Sequence, residues 1–525
     1  MAFFDYPLLG LSISPARPWL DLPSSTSTIV LVSIVTIVLW QLARTIFGDV
    51  KAPYVGYESS WAPVWVASLL SAQQVPFLIQ EGFRRYRDSM FKIHKRDSDI
   101  LVISNRFVDE LRSLPQEHIG AIDAHVKILL GSITGTDILL DGDLHTKALQ
   151  TKLTPNLGVL TEQLKAELDF SMTVELPDCE DEWVEVQMPG ILRRFVARLS
   201  ARAFVGSAVC RNEDWIRASI TYAENIFMTM TSLRKFPTFL RSLLAPFLSS
   251  YWRVQSDLST AKAILAPIIE QRRRDQALKN LSYDKPKDLL QGMMDLAKPN
   301  EAASHRLAHR QFTLSLGSLN TTTTAAVQTL YDICDHPEYF EPLREELLSA
   351  LAADGGWDKT TPNKMHGMDS FMKESQRFYP PSFLSFNRIV KKPLTLSDGT
   401  QIRRGTHFGM PSYSILQDPK IVPSPEKFDG FRYKKLREDP REVNKHQFAS
   451  TDVNNLHFGH GKYACPGRFF ASLIIKMIVG NLILHYDFKF PDGTRRPLNL
   501  NLDENVYPDP SAVLLMRRRR NIQEK

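Results

Sequence analysis

Cysteine is scarce: the 525 residues hold four, Cys179, Cys210, Cys334 and Cys465, and no two share a spacing that would clip a loop or cage a metal. That excludes a disulfide framework and a multi-cysteine zinc or iron–sulfur site, and it fits a reducing compartment. A dominant charge is lacking as well. The 64 Lys and Arg against 58 Asp and Glu leave a net +6, and basic residues do not alternate with aromatics as on nucleic-acid surfaces. Nucleic acid is therefore not an expected partner, whereas an acidic protein docking on a mildly basic face is. No internal repeat occurs, and the only short biased runs are Thr321–Thr324 and Arg517–Arg520. Length alone would allow about three domains of roughly 150 residues, but no linker divides the chain after residue 50.

What is present begins with a nearly charge-free run, residues 25–43, behind a proline-rich leader, residues 1–24. Nineteen residues at about 1.5 Å each approach the roughly 30 Å hydrocarbon core of a bilayer. Arg44 and Lys51 follow the run, so the positive side lies after it. A cleaved signal peptide is the rival reading. The late start, the absent basic n-region and the absent small-x-small site favour a single N-terminal anchor instead, with the body, 50–525, in the cytosol.

The residues with the most chemistry lie near the C-terminus, in Phe458-Gly459-His460-Gly461-Lys462-Tyr463-Ala464-Cys465-Pro466-Gly467. Apolar residues at helical spacing from Phe469 to Leu484 predict a helix beginning at about Pro466. Cys465 then sits at the positive dipole end, an environment expected to favour a thiolate. Gly461 and Gly467 are expected to give room for a flat cofactor. A lone cysteine is most often a buried structural residue. Here Phe458, Gly461, Cys465 and Gly467 satisfy Phe-x-x-Gly-x-x-x-Cys-x-Gly, and the stretch resembles the haem-binding loop of the cytochrome P-450 superfamily.

The resemblance implies a mainly α fold with a small β-rich lobe, haem b held by Cys465 as axial ligand, and a thiolate that pushes electron density to favour O–O cleavage. It implies O2 as oxidant and NADPH-derived electrons from a membrane-bound cytochrome P-450 reductase, with cytochrome b5 as a further donor. The endoplasmic reticulum is the implied membrane. Two residues before the cysteine the family carries a basic residue for a haem propionate. Tyr463 stands there, leaving that role to Lys462 or to a neutral hydrogen bond from Tyr463. Arg388 matches the place of a propionate-binding arginine. His145 and Lys152 occupy the place of a propionate-binding helix, but no Trp-x-x-x-Arg is present and both are expected to be solvent-exposed charges.

Residues His305–Asp335 predict one long helix stopped by Pro337, locally loosened around Leu316–Thr324 by glycine and hydroxyl residues. Aligned with the family's distal helix, Gly317 and Ser318 are the small pair, Asn320 replaces the acid and Thr321 is the catalytic hydroxyl. An amide cannot ionise but can orient water. Glu374 and Arg377 share a helix face; with Arg432 they resemble the family's buried charge network, here assigned to fold-locking. Phe383, Leu384 and Phe386 are expected to face substrate, and 505–515 forms a late strand region. Asp398-Gly399 signals a hairpin, 99–103 a strand, and His118–Leu140 a mobile stretch. Phe227, Phe236 and Phe239 are expected in the core, with an access channel or the membrane surface as the alternatives, and Arg517–Arg520 in a solvated tail or docking an acidic partner.

Runs Lys373–Phe378, Phe386–Ile389, Leu396–Thr400, Phe428–Tyr433 and Gly461–Phe469 are similar to fungal terpenoid-tailoring enzymes, in particular the ent-kaurene oxidase group. The implied function is monooxygenation of a lipophilic, terpenoid small molecule in an apolar pocket. Asn320 keeps open an oxygen-independent haem-thiolate isomerase or dehydratase. A non-catalytic haem sensor and a haem-free membrane scaffold are the remaining rivals.

Overall fold

The computed structural model describes residues 50–56, 74–95, 98–180, 182–278 and 285–520, with the isolated positions 28, 31, 32 and 35. The chain divides into two units, 1–51 and 52–525. In the first, the leader and most of the expected anchor lie outside the described residues; Thr28, Leu31, Val32 and Val35 are helical and exposed.

The second unit is mainly helical. Its framework is α1 Ala121–Ile128, α2 Leu157–Glu175, α3 Met188–Val205, α4 Glu213–Leu233, α5 Ser249–Ala277, α6 Ser304–Asp335, α7 Phe340–Asp354, α8 His366–Phe378 and α9 Arg468–His485. The long α6 is the axle: α3, α4, α5, α8 and α9 all pack on it. It ends at Asp335, and the ring of Pro337 bars a further turn. The loosening expected within it does not occur. Thr321 donates from its hydroxyl to the Gly317 carbonyl at 2.9 Å, Thr313 to His309 at 3.0 Å and Thr329 to Ala325 at 2.7 Å. These bonds share the carbonyls with the helical N–H groups, and packing by Leu319, Ala326 and Val327 keeps the ladder whole. Phe312 is fully buried between Trp215 (5.3 Å, edge-on) and Tyr222 (4.7 Å).

Among the described residues only α9 is long and apolar enough to cross a membrane. Its Ile474, Met477, Ile478 and Leu482 are instead fully buried in the main core, so it is a core helix, beginning two residues later than the proline suggested.

The smaller lobe holds a five-stranded sheet in the order β1 Met90–His94, β2 Asp99–Ile103, β8 His407–Met410, β5 Ser385–Val390, β3 Ile119–Gly120. The expected strand at 99–103 is β2. Around Asp398-Gly399, β6 Leu394–Thr395 pairs antiparallel with β7 Gln401–Ile402, and Gly399 takes φ +84° in the turn. A second sheet orders β4 Val184–Val186, β12 Leu514–Arg518, β9 Tyr486–Lys489; β10 Asn499–Leu502 and β11 Asn505–Pro508 form a separate ribbon.

Several expectations are corrected. The stretch expected to be mobile, residues 118–140, holds β3 and short helical turns, including α1. Arg517 and Arg518 belong to β12: Arg518 pairs with Glu180 at 3.1 Å, and Arg517 lies 4.6 Å from the Trp183 ring. Arg519 donates to the Leu484 carbonyl at 3.1 Å, so this run is no free tail. Phe236 and Phe239 are 44% and 80% exposed. Leu243 and Phe247 are exposed with them on the segment joining α4 to α5, as is Trp252 in the first turn of α5. Phe227 is half-buried, edge-on to Tyr507 at 5.5 Å.

Candidate functional site

The cysteine loop is held by its backbone. Cys465 N–H donates to the Phe458 carbonyl at 2.7 Å, closing the loop, and the Phe458 ring stands edge-on to Phe448 at 5.4 Å. The first N–H groups of α9, from Gly467 and Arg468, point at the Cys465 sulfur, and the Arg468 guanidinium donates to the Cys465 carbonyl at 2.9 Å. These donors and the Arg468 charge draw the thiol pKa down, but burial outweighs them and the pKa lies above its ordinary value. The helix dipole alone therefore does not make the expected thiolate; a coordinating metal ion would, since it deprotonates the thiol outright. Cys465 nonetheless has open surface. The thiol is thus accessible while burial around it still raises its pKa.

The two glycines divide the labour differently from expectation. Gly461 takes φ +74°, and a Cβ there would meet the Arg112 side chain at 2.7 Å and its carbonyl oxygen at 2.9 Å. Its smallness lets the loop lie against Arg112, whose carbonyl accepts from Lys462 N–H at 3.3 Å. A Cβ on Gly467 would meet nothing within 4 Å, so this glycine borders open space. Arg112 and Arg468 had no flag in the sequence: an arginine whose backbone supports a loop leaves no spacing signature.

On α6, Gly317 and Thr321 lie one turn apart and are the exposed positions of an otherwise mostly buried helix middle. A Cβ at Gly317 would also meet nothing within 4 Å. The Thr321 hydroxyl, donating to the Gly317 carbonyl, keeps its lone pairs free to accept. Ser318 turns away, its hydroxyl 3.0 Å from that of Ser200 on α3, and Asn320 is half-buried.

Arg388 is 2% exposed. It donates from Nη1 to the Asn387 carbonyl at 2.8 Å, while Nε and Nη2 have no partner among the described residues. Its guanidinium carbon lies 4.1 Å from the Phe386 ring and 5.7 Å from that of Tyr463. Burial pulls its pKa down to about 10, and no carboxylate pairs with it among the described residues. A buried cation with idle donors calls for an anionic ligand. A thiol fed by backbone N–H groups, open space beside it and an arginine lacking a carboxylate together fit an iron porphyrin with acidic side chains. Lys462 is exposed, its amine 5.5 Å from the Tyr463 ring.

Phe383 and Leu384 pack into the lobe core with Val55, Leu78, Phe91, Ile100 and Val506, and Phe383 lies 4.5 Å from the Tyr413 ring. Phe386 is 3% exposed under Arg388 and takes φ +54°. The register of β5 slips between Ser385 and Arg388, next to the left-handed Phe386.

Glu374, Arg377 and Arg432 come together. Glu374 and Arg377 are fully buried and paired through two bonds of 2.8 and 2.9 Å. Arg432 reaches both Glu374 oxygens at 3.2 and 3.3 Å. Arg377 also donates to the carbonyls of Leu416 (3.3 Å), Pro425 (2.7 Å) and Lys427 (3.3 Å), and Arg432 to those of Pro423 and Lys427. One carboxylate thus gathers two arginines that pin the segment 416–432.

His145 is not solvent-exposed as expected. It is 3% exposed, with Nδ1 3.3 Å from Arg310 Nη1, and burial lowers its pKa to about 4. Lys152 is half-buried, its Cβ close to Gly292.

The family model for cytochrome P450 matches residues 138–516. Cytochrome P450 monooxygenase AN1598 of Emericella nidulans is 55% identical over 469 residues, 89% of this chain and 88% of the relative. Cytochrome P450 monooxygenase olcJ of Penicillium canescens is 51% identical over the same shares. An ent-kaurene oxidase of Fusarium fujikuroi is 40% identical over 90% of this chain and 88% of the relative. Retinoic-acid-bound cyanobacterial CYP120A1 shares the fold, with a TM-score of 0.66 at 19% identity over 90% of this chain and 100% of that one. From the cysteine loop, the helical framework with its small β lobe and these relatives, the chain belongs to the cytochrome P450 family and is a monooxygenase of that family.

Proposed function

We propose that the protein oxidises a lipophilic terpenoid secondary metabolite at the endoplasmic reticulum membrane, with O2 and with electrons passed from NADPH by a membrane-bound reductase. The observation that carries the reading is the Cys465 loop with its accessible thiol, in a chain 40% identical to ent-kaurene oxidase over most of its length. The haem supplies oxygen activation when bound. Around it, Cys465 is the iron ligand, Phe458, Gly461 and Gly467 shape the loop, Arg388 holds a propionate with Lys462 or Tyr463 nearby, and Thr321 with Asn320 orients water. Glu374, Arg377 and Arg432 lock the fold behind the loop, and the left-handed Phe386 seats Arg388. Residues 25–43 form the anchor, 1–24 the leader on its far side and 50–525 the cytosolic catalytic domain. Coexpression with a reductase, followed by mass spectrometry of extracted terpenoids under 18O2, tests this reading. One labelled oxygen per oxidation is expected; product formed without NADPH and O2 would establish an isomerase or dehydratase instead.

Thr321→Ala removes the hydroxyl that accepts from water while leaving Cys465 untouched. The reduced, carbon-monoxide-treated spectrum stays normal, and product formed per NADPH consumed falls by about 100-fold, the lower end of what one positioned proton-transfer group contributes. Coupling equal to wild type would remove Thr321 from the reaction.

The exposed Phe239 and Phe247 make a second contact with the lipid surface. In protein lacking residues 1–49, Phe239→Asp with Phe247→Asp weakens binding to phosphatidylcholine vesicles by at least about tenfold, given about 1.5–3 kcal/mol for each buried phenylalanine. Sedimentation of vesicles reads the effect, and equal binding of both proteins would disprove the contact.

A further inference from the structure

Asp369 stands buried in the first turn of α8, where the helix N-terminus favours a negative charge. Its carboxylate lies outside the Glu374 network, whose bonds run to the segment 416–432. Oδ1 accepts the Phe448 N–H at 3.3 Å and pairs with the Lys476 ammonium of α9 at 2.9 Å. Oδ2 faces Arg437 Nη1 at 3.5 Å. Lys476 also donates to the Pro362 carbonyl at 2.6 Å, and both Lys476 and Phe448 are buried with the carboxylate.

The two groups that meet at Oδ1 lead to opposite ends of the cysteine loop. The Phe448 ring is edge-on to Phe458 at 5.4 Å, and the Phe458 carbonyl accepts from the Cys465 N–H. Lys476 lies about two turns along α9 from Arg468, whose N–H points at the Cys465 sulfur. We infer that Asp369 is a positioning residue for the axial sulfur: one carboxylate holds the segment before the cysteine loop and the helix after it at a fixed separation. The inference rests on the haem-thiolate reading of the site. A buried ion pair that also receives a backbone N–H keeps its geometry, because displacement strands a charge away from water. Without the anion, Lys476 and Arg437 lose the carboxylate they share, α9 is free to shift against residues 448–458, and the sulfur shifts with it.

The test uses the haem-loaded protein and three substitutions. Asp369→Asn keeps the shape and removes the charge. Phe448→Leu interrupts the path to Phe458 without touching a charge. Glu504→Gln is the control: it breaks the Lys95–Glu504 pair, 2.5 Å long and equally buried, in the β lobe. Two readouts are taken below the unfolding temperature of every variant. One is the iron–sulfur stretching band in resonance Raman spectra; the other is the rate at which the red-shifted reduced–carbon-monoxide band gives way to the unshifted band of lost thiolate ligation. Asp369→Asn is expected to lower the stretching frequency and to speed that loss by at least about tenfold, the worth of one hydrogen bond to a charged group. Phe448→Leu moves both readouts the same way, and decides alone if Asp369→Asn yields no haem-loaded protein. Glu504→Gln lowers the melting temperature and leaves both readouts at wild type. A wild-type stretch and rate in Asp369→Asn would overturn the role, as would equal acceleration in Glu504→Gln, since that marks a general loss of stability. A wild-type protein without the red-shifted band removes the haem-thiolate reading itself; a normal wild-type band beside unaffected variants removes Asp369 alone.

Discussion

Cys465→Ser abolishes the red-shifted Soret band of the reduced, carbon-monoxide-treated protein and all NADPH-dependent oxidation. Serine preserves the loop: it keeps the backbone N–H bond to the Phe458 carbonyl and a side-chain atom for the Gly467 and Arg468 N–H groups to meet. Only the soft, ionisable sulfur is lost, so a spectral change reports ligation rather than misfolding. The raised pKa of Cys465 adds a quantitative corollary. The free thiol is protonated at neutral pH, because burial opposes the anion more than the backbone donors support it. Haem uptake must therefore release about one proton per molecule, a count that the Ser variant lacks. Proton release on reconstitution in weakly buffered solution measures it. Retention of the band in the Ser variant would transfer the ligand role to another residue.

Glu374→Gln is the substitution expected to cost most stability. Both partners of the 374–377 pair are fully buried, and the glutamate is the sole carboxylate facing Arg377 and Arg432 among the described residues. An amide leaves two cations close together, one wholly enclosed, with only carbonyls to receive them. Breaking such a pair typically costs about 3–5 kcal/mol, a large part of the roughly 5–15 kcal/mol that holds a domain together. Thermal unfolding and the yield of haem-loaded protein read the loss. Arg432→Lys is milder, since that side chain is partly exposed and a lysine still reaches the carboxylate. A melting point for Glu374→Gln within a degree or two of wild type would show that the network is not fold-locking.

Much of this arrangement was legible before any coordinates. Pro337 marks the end of α6 because its ring forbids a continued turn, and the three-residue offset of Glu374 and Arg377 puts them on one face. The four spaced letters of the cysteine loop carry the family by themselves. What sequence could not show depends on distant contact. Nothing near residue 125 announces that α1 lies along β5, and that packing is written only in three dimensions. The left-handed turn at Phe386 and the register slip beside it have no letter pattern of their own. Phe236 and Phe239 carry the same apolar letters as core residues, yet no element among the described residues covers them. His145 erred the other way, an ionisable side chain drawn inside by Arg310.

The position of β12 has a consequence for biogenesis. This strand, residues 514–518, is the middle member of its sheet, joining β4 at 184–186 to β9 at 486–489. Among the described residues, both neighbours lack a strand partner until β12 has left the ribosome. With synthesis running at about 5–20 residues per second, β4 waits at least about 16 seconds for its partner. Closure of this sheet thus waits on β12, and through that interval the β4 edge stands open to pairing with the wrong chain.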